Sequence, residues 1–136
     1  MNRRLFNSLG FTSLLAPMTG FNISLESKDP KQMKDIFIHH VFVWLKNPES
    51  ESDLSQLIEG LQGLTKIKSI KSYHLGVPAA TKRDVIDATY AVSWLTIFAN
   101  SADEQAYQID QIHLDFIKNY KHLWSKIVVY DSIDHE

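Results

Sequence analysis

The hydrophobic patterns of this chain predict an α+β fold: strand, helix, strand, strand, helix, strand, with four antiparallel strands in one sheet and the helices on one of its faces. Three observations predict it. Residues 36–46, Ile-Phe-Ile-His-His-Val-Phe-Val-Trp-Leu-Lys, alternate as a strand with bulky side chains on both faces. Residues 54–64 then set Leu54, Leu57, Ile58, Leu61 and Leu64 at helical spacing. In the second half, another two-sided strand pattern precedes a second helical pattern and a closing apolar run.

Taken in order, residues 1–23 open with Asn2-Arg3-Arg4 and run through a modestly apolar stretch to Pro17 and Gly20. A positive start, an apolar middle and a turn-forming end read as an export leader of the twin-arginine type, which would carry the protein to the periplasm. A poorly ordered cytoplasmic N-terminus is the alternative. A polar linker over 24–35 follows, and the domain is expected over 36–133. In the first strand, Ile36, Ile38, His40, Phe42 and Trp44 share one face and Phe37, His39, Val41, Val43 and Leu45 the other. Turn chemistry over 47–52 leads into the first helix. Residues 69–77 alternate as a second strand that stops at Pro78, and 79–87 form a charged loop. Residues 89–99 make the third strand, with Tyr90, Val92, Trp94 and Phe98 set against Ala91, Leu95 and Ile97. Ser101-Ala102-Asp103-Glu104 matches a capping box, in which a serine hydroxyl and a glutamate carboxylate satisfy free N–H groups at a helix start. Ile109, Ile112, Phe116, Tyr120 and Leu123 keep helical spacing, and 127–130 close the sheet. This order is the ferredoxin-like split pattern.

Such a sheet leaves one face bare. Because strands one and three carry apolar or aromatic side chains on both faces, the bare face would expose a patch that drives self-association, and a homodimer burying about 800 Å² per subunit would cover it. Other partners are less favoured by composition. Of 136 residues, 14 are Lys or Arg and 16 Asp or Glu, a formal net charge of −2, so nothing draws the chain to nucleic acid or anionic lipid. Lys66, Lys68 and Lys71 read as a solvated basic cluster, and Lys82-Arg83-Asp84 with Asp87 as a solvated loop. The apolar stretch near the N-terminus is too short and interrupted for stable membrane insertion. There is no cysteine, which removes disulfides, thiolate ligands and a thiol nucleophile together. Glycine-rich phosphate loops, nucleophile elbows and clusters at metal-ligand spacing are missing, so no cofactor and no metal are expected.

The remaining chemistry lies with six histidines. His135 is near the C-terminus, and His122 suits a helix end. His39 and His40, adjacent on a strand, face opposite ways and cannot hold one metal together within a subunit. His40 shares its face with Phe42 and Trp44 and is the first-strand candidate. Tyr107 and His113 lie six residues apart, about 120° around a regular helix, and meet only if the helix breaks near Asp110-Gln111. A phenol and two imidazoles in an apolar pocket would polarise a carbonyl and move a proton near neutral pH. Trp44, Trp94 and Trp124 read as core or interface packing.

His40-Val41-Phe42-Val43-Trp44-Leu45-Lys46, Gly60-Leu61-Gln62-Gly63-Leu64, the stretch from Tyr107 to Phe116, and Val128-Val129-Tyr130-Asp131 resemble the stress-responsive dimeric A/B barrel (Dabb) family over about residues 35–133. The resemblance implies two ferredoxin-like subunits whose sheets pair into a barrel. Members of the olivetolic acid cyclase type close a linear polyketide by aldol condensation with a first-strand histidine and a tyrosine and histidine on the later helix. Carried onto this chain, those are His40, Tyr107 and His113. The usual Tyr-x-x-His-Pro-x-His pattern is altered here, with Asp110-Gln111 where His-Pro is expected, and proline would have separated two helices at that point.

The leading expectation is a homodimer that binds a small apolar molecule, with cofactor-independent cyclase or lyase chemistry if it is an enzyme. The alternatives are a non-catalytic, stress-related structural dimer and a cofactor-free monooxygenase or haem-handling barrel.

Overall fold

The computed structural model describes residues 29–136; the leader expected over 1–23, and the linker as far as 28, lie outside the described residues. Residues Gln32–Glu136 form one compact unit. Its elements are β1 (Phe37–Leu45), α1 (Glu51–Gly63), β2 (Ser72–Gly76), β3 (Val92–Phe98), α2 (Ser101–Ile109), α3 (Gln111–Tyr120) and β4 (Trp124–Ile133). The strands form one antiparallel sheet in the order β2-β3-β1-β4. The expected α+β, ferredoxin-like architecture is therefore present, with one change: the second helical stretch is two helices.

The two faces of β1 divide as alternation requires. Val41, Val43 and Leu45 join Val92, Trp94 and Phe98 of β3 in a core closed by Leu57, Leu61, Tyr107 and Phe116 from the helices. Leu57 is fully buried, a contribution of about 1.5–3 kcal/mol for such a side chain. On the opposite face Ile38, His40, Phe42 and Trp44 are half-buried. Their rings gather with two tyrosines, Phe42 lying 5.0 Å from Tyr90 and 6.1 Å from Tyr130 between centroids.

Three local expectations are corrected. Tyr90 does not share a face with Val92, Trp94 and Phe98; it precedes the strand, escapes the two-residue period and packs on Phe42 and Trp44 instead. Strand boundaries also move: β2 is shorter than expected over 69–77, and β4 begins at Trp124, ahead of Ile127. Finally, α2 is capped by Asn100, whose extended backbone lets its side chain accept from the N–H of Asp103 at 2.9 Å. Asn caps at least as well as Ser, so Ser101 becomes the first helical residue and Glu104 is released from any capping role.

The cluster Lys66, Lys68 and Lys71 and the loop residues Lys82, Arg83 and Asp84 are all exposed. Trp44 donates its indole N–H to Thr89 Oγ1 at 2.9 Å, and the Lys126 ammonium lies 4.5 Å above its ring. No helix among the described residues is long and apolar enough to cross a membrane.

Candidate functional site

The site is built around a helix break. Asp110 closes α2 and opens α3 with φ −62° and ψ 137°, an extended conformation that ends the regular turn. Its carboxylate accepts from the N–H of Ile112 at 2.8 Å, so the side chain caps the new helix it starts. On a continuous helix Tyr107 and His113 would diverge. Across this break their rings stand 4.5 Å apart. The break expected of a proline is thus made by an aspartate cap.

Tyr107 is 1% exposed, held against Phe98 and beneath the sheet. Its hydroxyl oxygen accepts the indole N–H of Trp94 at 3.2 Å, which leaves its own hydrogen available to another acceptor. Burial pushes the phenol up to about 12, so it is a donor throughout the physiological range. His113 stands 3.1 Å, through Nδ1, from the carbonyl of Gln108. A carbonyl can only accept, so Nδ1 carries the proton and Nε2 is the basic atom of the neutral ring. Burial holds His113 below the usual imidazole value, partly opposed by that carbonyl.

The sheet histidine beside this pair is His39. It is 5% exposed and meets Tyr107 edge-on at 5.8 Å between ring centroids. His40, the first-strand candidate from the sequence, is on the other face, where its Nε2 and the Ser93 hydroxyl are 2.7 Å apart. One residue along a strand turns a side chain through the sheet, so His40 is separated from Tyr107 and His113 while His39 joins them.

Two carboxylates that the sequence reading left out complete the group. Asp131 faces His39 across the β1–β4 ladder and places Oδ1 2.7 Å from its Nδ1. Glu104 comes from α2, 3.8 Å from the same nitrogen, and accepts from the Gln108 amide at 2.6 Å. The signal for Asp131 was its place on the same face of β4 as Val129 and Ile127. For Glu104 there was none, since Ser101 three residues before it fits a capping box.

A cavity of about 160 Å³ opens against these groups. His39, Tyr107, Gln108 and His113 make its polar end, and Val41, Val43, Leu61, Leu64, Phe116 and Trp124 are among its apolar walls. A cavity of about this size holds a single aromatic ring. A phenol donor and a basic imidazole at one end suit a ligand oxygen and a removable proton. Among the described residues, no group of three or more His, Asp or Glu side chains is arranged to hold a metal ion.

The model of the Stress responsive A/B Barrel Domain matches residues 37–134. The chain belongs to this family. A Dabb family protein with a ferredoxin-like fold from Mesorhizobium loti is 16% identical, with a TM-score of 0.63 over 74% of this chain and 98% of that one. Hydroxynitrile lyase from Passiflora edulis is 24% identical, with a TM-score of 0.62 over 76% and 97%. A dimeric protein of ferredoxin-like fold from Bacteroides fragilis is 14% identical, with a TM-score of 0.59 over 76% and 100%. At these identities the likeness is one of fold. No curated protein matches the chain.

Proposed function

We propose that this A/B barrel protein works as a homodimer, and that each subunit binds a small, mostly apolar molecule in the cavity between sheet and helices. There His113, Tyr107 and His39 move a proton on it without a cofactor. The observation that carries the reading is the 4.5 Å approach of His113 to Tyr107 at the polar end of an apolar cavity. Nε2 of His113 takes a proton from the carbon beside a carbonyl, and the Tyr107 hydroxyl donates to the oxygen on which charge develops. His39, tied to Asp131, takes the place of the first-strand histidine for which His40 was the candidate, and orients the bound molecule. Enolisation, aldol-type cyclisation and lysis all begin with such a step, and a relative of similar fold is itself a lyase. A purely structural dimer would have a filled interior, which the cavity argues against.

The dimer follows from the rings on the outer face of the sheet, and the Bacteroides fragilis relative is described as dimeric. Native mass spectrometry of the full chain should report twice the subunit mass, and a single-subunit mass at micromolar concentration would overturn this part. For the chemistry, the protein should accelerate exchange of the α-hydrogens of cyclohexanone with deuterated water, followed by NMR. The His113→Ala variant should lose that acceleration while retaining the dimer. Equal rates for the two proteins would remove His113 as the base.

A further inference from the structure

The cavity has an electrostatic sign that its apolar walls conceal. His39 is held between two carboxylates, Asp131 at 2.7 Å and Glu104 at 3.8 Å, both measured from Nδ1. With the ring protonated the three side chains sum to −1, and with the ring neutral to −2. Either way the group is negative. The Glu104 side chain is only 12% exposed, so water screens it poorly, while Asp131, 46% exposed, is screened more and acts through its short contact with His39. Among the described residues, the side-chain donor to Glu104 is the Gln108 amide, which is neutral and itself lines the cavity. Among the described residues that line the cavity there is no lysine or arginine. Lys126, on the neighbouring strand, reaches over the Trp44 ring on the opposite face of the sheet.

An anionic ligand would therefore shed its water in a site whose described lining holds no lysine or arginine and which places two carboxylates behind the His39 imidazole. A neutral ligand meets no such penalty, and Tyr107 and His113 still give it a donor and an acceptor. We infer that the cavity is selective for uncharged compounds of about single-ring size that carry a carbonyl group, and that Glu104 and Asp131 exclude carboxylates of the same shape. This rests on the reading of the cavity as a binding site and adds the charge class of its ligand.

Benzamide and benzoate test it, because they share a shape and differ in charge. Binding is followed near neutral pH by ligand-observed NMR and by the shifts of the His113 imidazole. Benzamide should bind, with benzoate at least about tenfold weaker, and Glu104→Gln, which can keep the contact with Gln108, should narrow that gap. Asp131→Asn provides the same test should Glu104→Gln fail to fold. Benzoate binding as well as benzamide would overturn the charge selectivity while leaving the binding site standing. A gap unchanged in both variants would also overturn it, since the discrimination would arise elsewhere. If neither compound shifts His113 in the folded protein, the binding-site reading falls and this inference falls with it.

Discussion

His39 and His40 are neighbours in sequence, yet His39 pairs with Asp131 beneath the helices while His40 pairs with Ser93 on the far side of the sheet. The two imidazoles therefore answer to different surroundings. Burial depresses His40, with His74 and His39 adding repulsion, whereas His113 is depressed by burial on the helix side, where Gln108, His39, Glu104 and Asp110 face it.

This has a consequence for stability. Both His40 and His113 lie below the ordinary imidazole value of 6.5 in the folded chain. As pH falls through 6.5 the unfolded chain takes up protons that the folded chain refuses, so stability is full above that value and declines below it. The melting temperature should drop between about pH 7.5 and about pH 5.5, and His113→Gln should flatten the slope. A profile level across that range would show that neither ring is held neutral. The same sign applies to catalysis: a reaction using His113 as base keeps its full rate to a lower pH than an ordinary imidazole allows, then falls as the ring protonates.

Tyr107→Phe removes the acceptor of the Trp94 indole, a side chain that is 1% exposed. The variant should lose about 1–3 kcal/mol in urea unfolding, the usual cost of a buried donor left without a partner. In the parent chain, ultraviolet titration should find one phenol that ionises only near 12. Loss of that late step in the variant assigns it to Tyr107; its persistence would assign it elsewhere.

The fold was legible because alternation and helical spacing are strong signals, and because two-sided strands in a short chain admit few sheet topologies. Tyr107 and His113 were legible as residue types. The face of the first strand was not: Phe42 and Trp44 beside His40 looked as much like a pocket wall as Val41 and Val43 beside His39. Alternation states which residues share a face and never which face the helices cover. Glu104 was hidden for another reason, since a serine three residues before a glutamate fits a capping box and Asn100 outcompetes it only in three dimensions.

Gly60 lies in α1 beneath Tyr120. A Cβ added there would sit 2.9 Å from three atoms of the Tyr120 ring, which stacks on Phe116, a wall of the cavity. Glycine to alanine inside a helix ordinarily stabilises by about 0.5–1 kcal/mol. Here the clash reverses the sign, and Gly60→Ala should cost about 1–3 kcal/mol in thermal or urea unfolding. A gain in stability would mean that Tyr120 moves aside freely.

Gln111→Pro tests the helix break from the other direction. Proline inside a helix costs about 3 kcal/mol or more, because it removes an N–H and its ring strikes the preceding turn. Were 101–120 one helix, this substitution would be severe. Gln111 is instead the first residue of α3, where the N–H has no intrahelical acceptor, and Asp110 before it already holds an extended backbone whose ψ of 137° lies within the range that a following proline favours. The substitution forfeits an exposed bond from the Gln111 amide to Asp115, 2.8 Å long, and reduces the freedom of the unfolded chain. The two effects are of similar size and opposite sign, so stability should stay within about 0.5 kcal/mol of the parent. The His113 imidazole shifts should be unchanged, because the geometry that brings it to Tyr107 is the one proline favours. A loss near 3 kcal/mol would place Gln111 inside a continuous helix and separate the two rings on which the proposed chemistry depends.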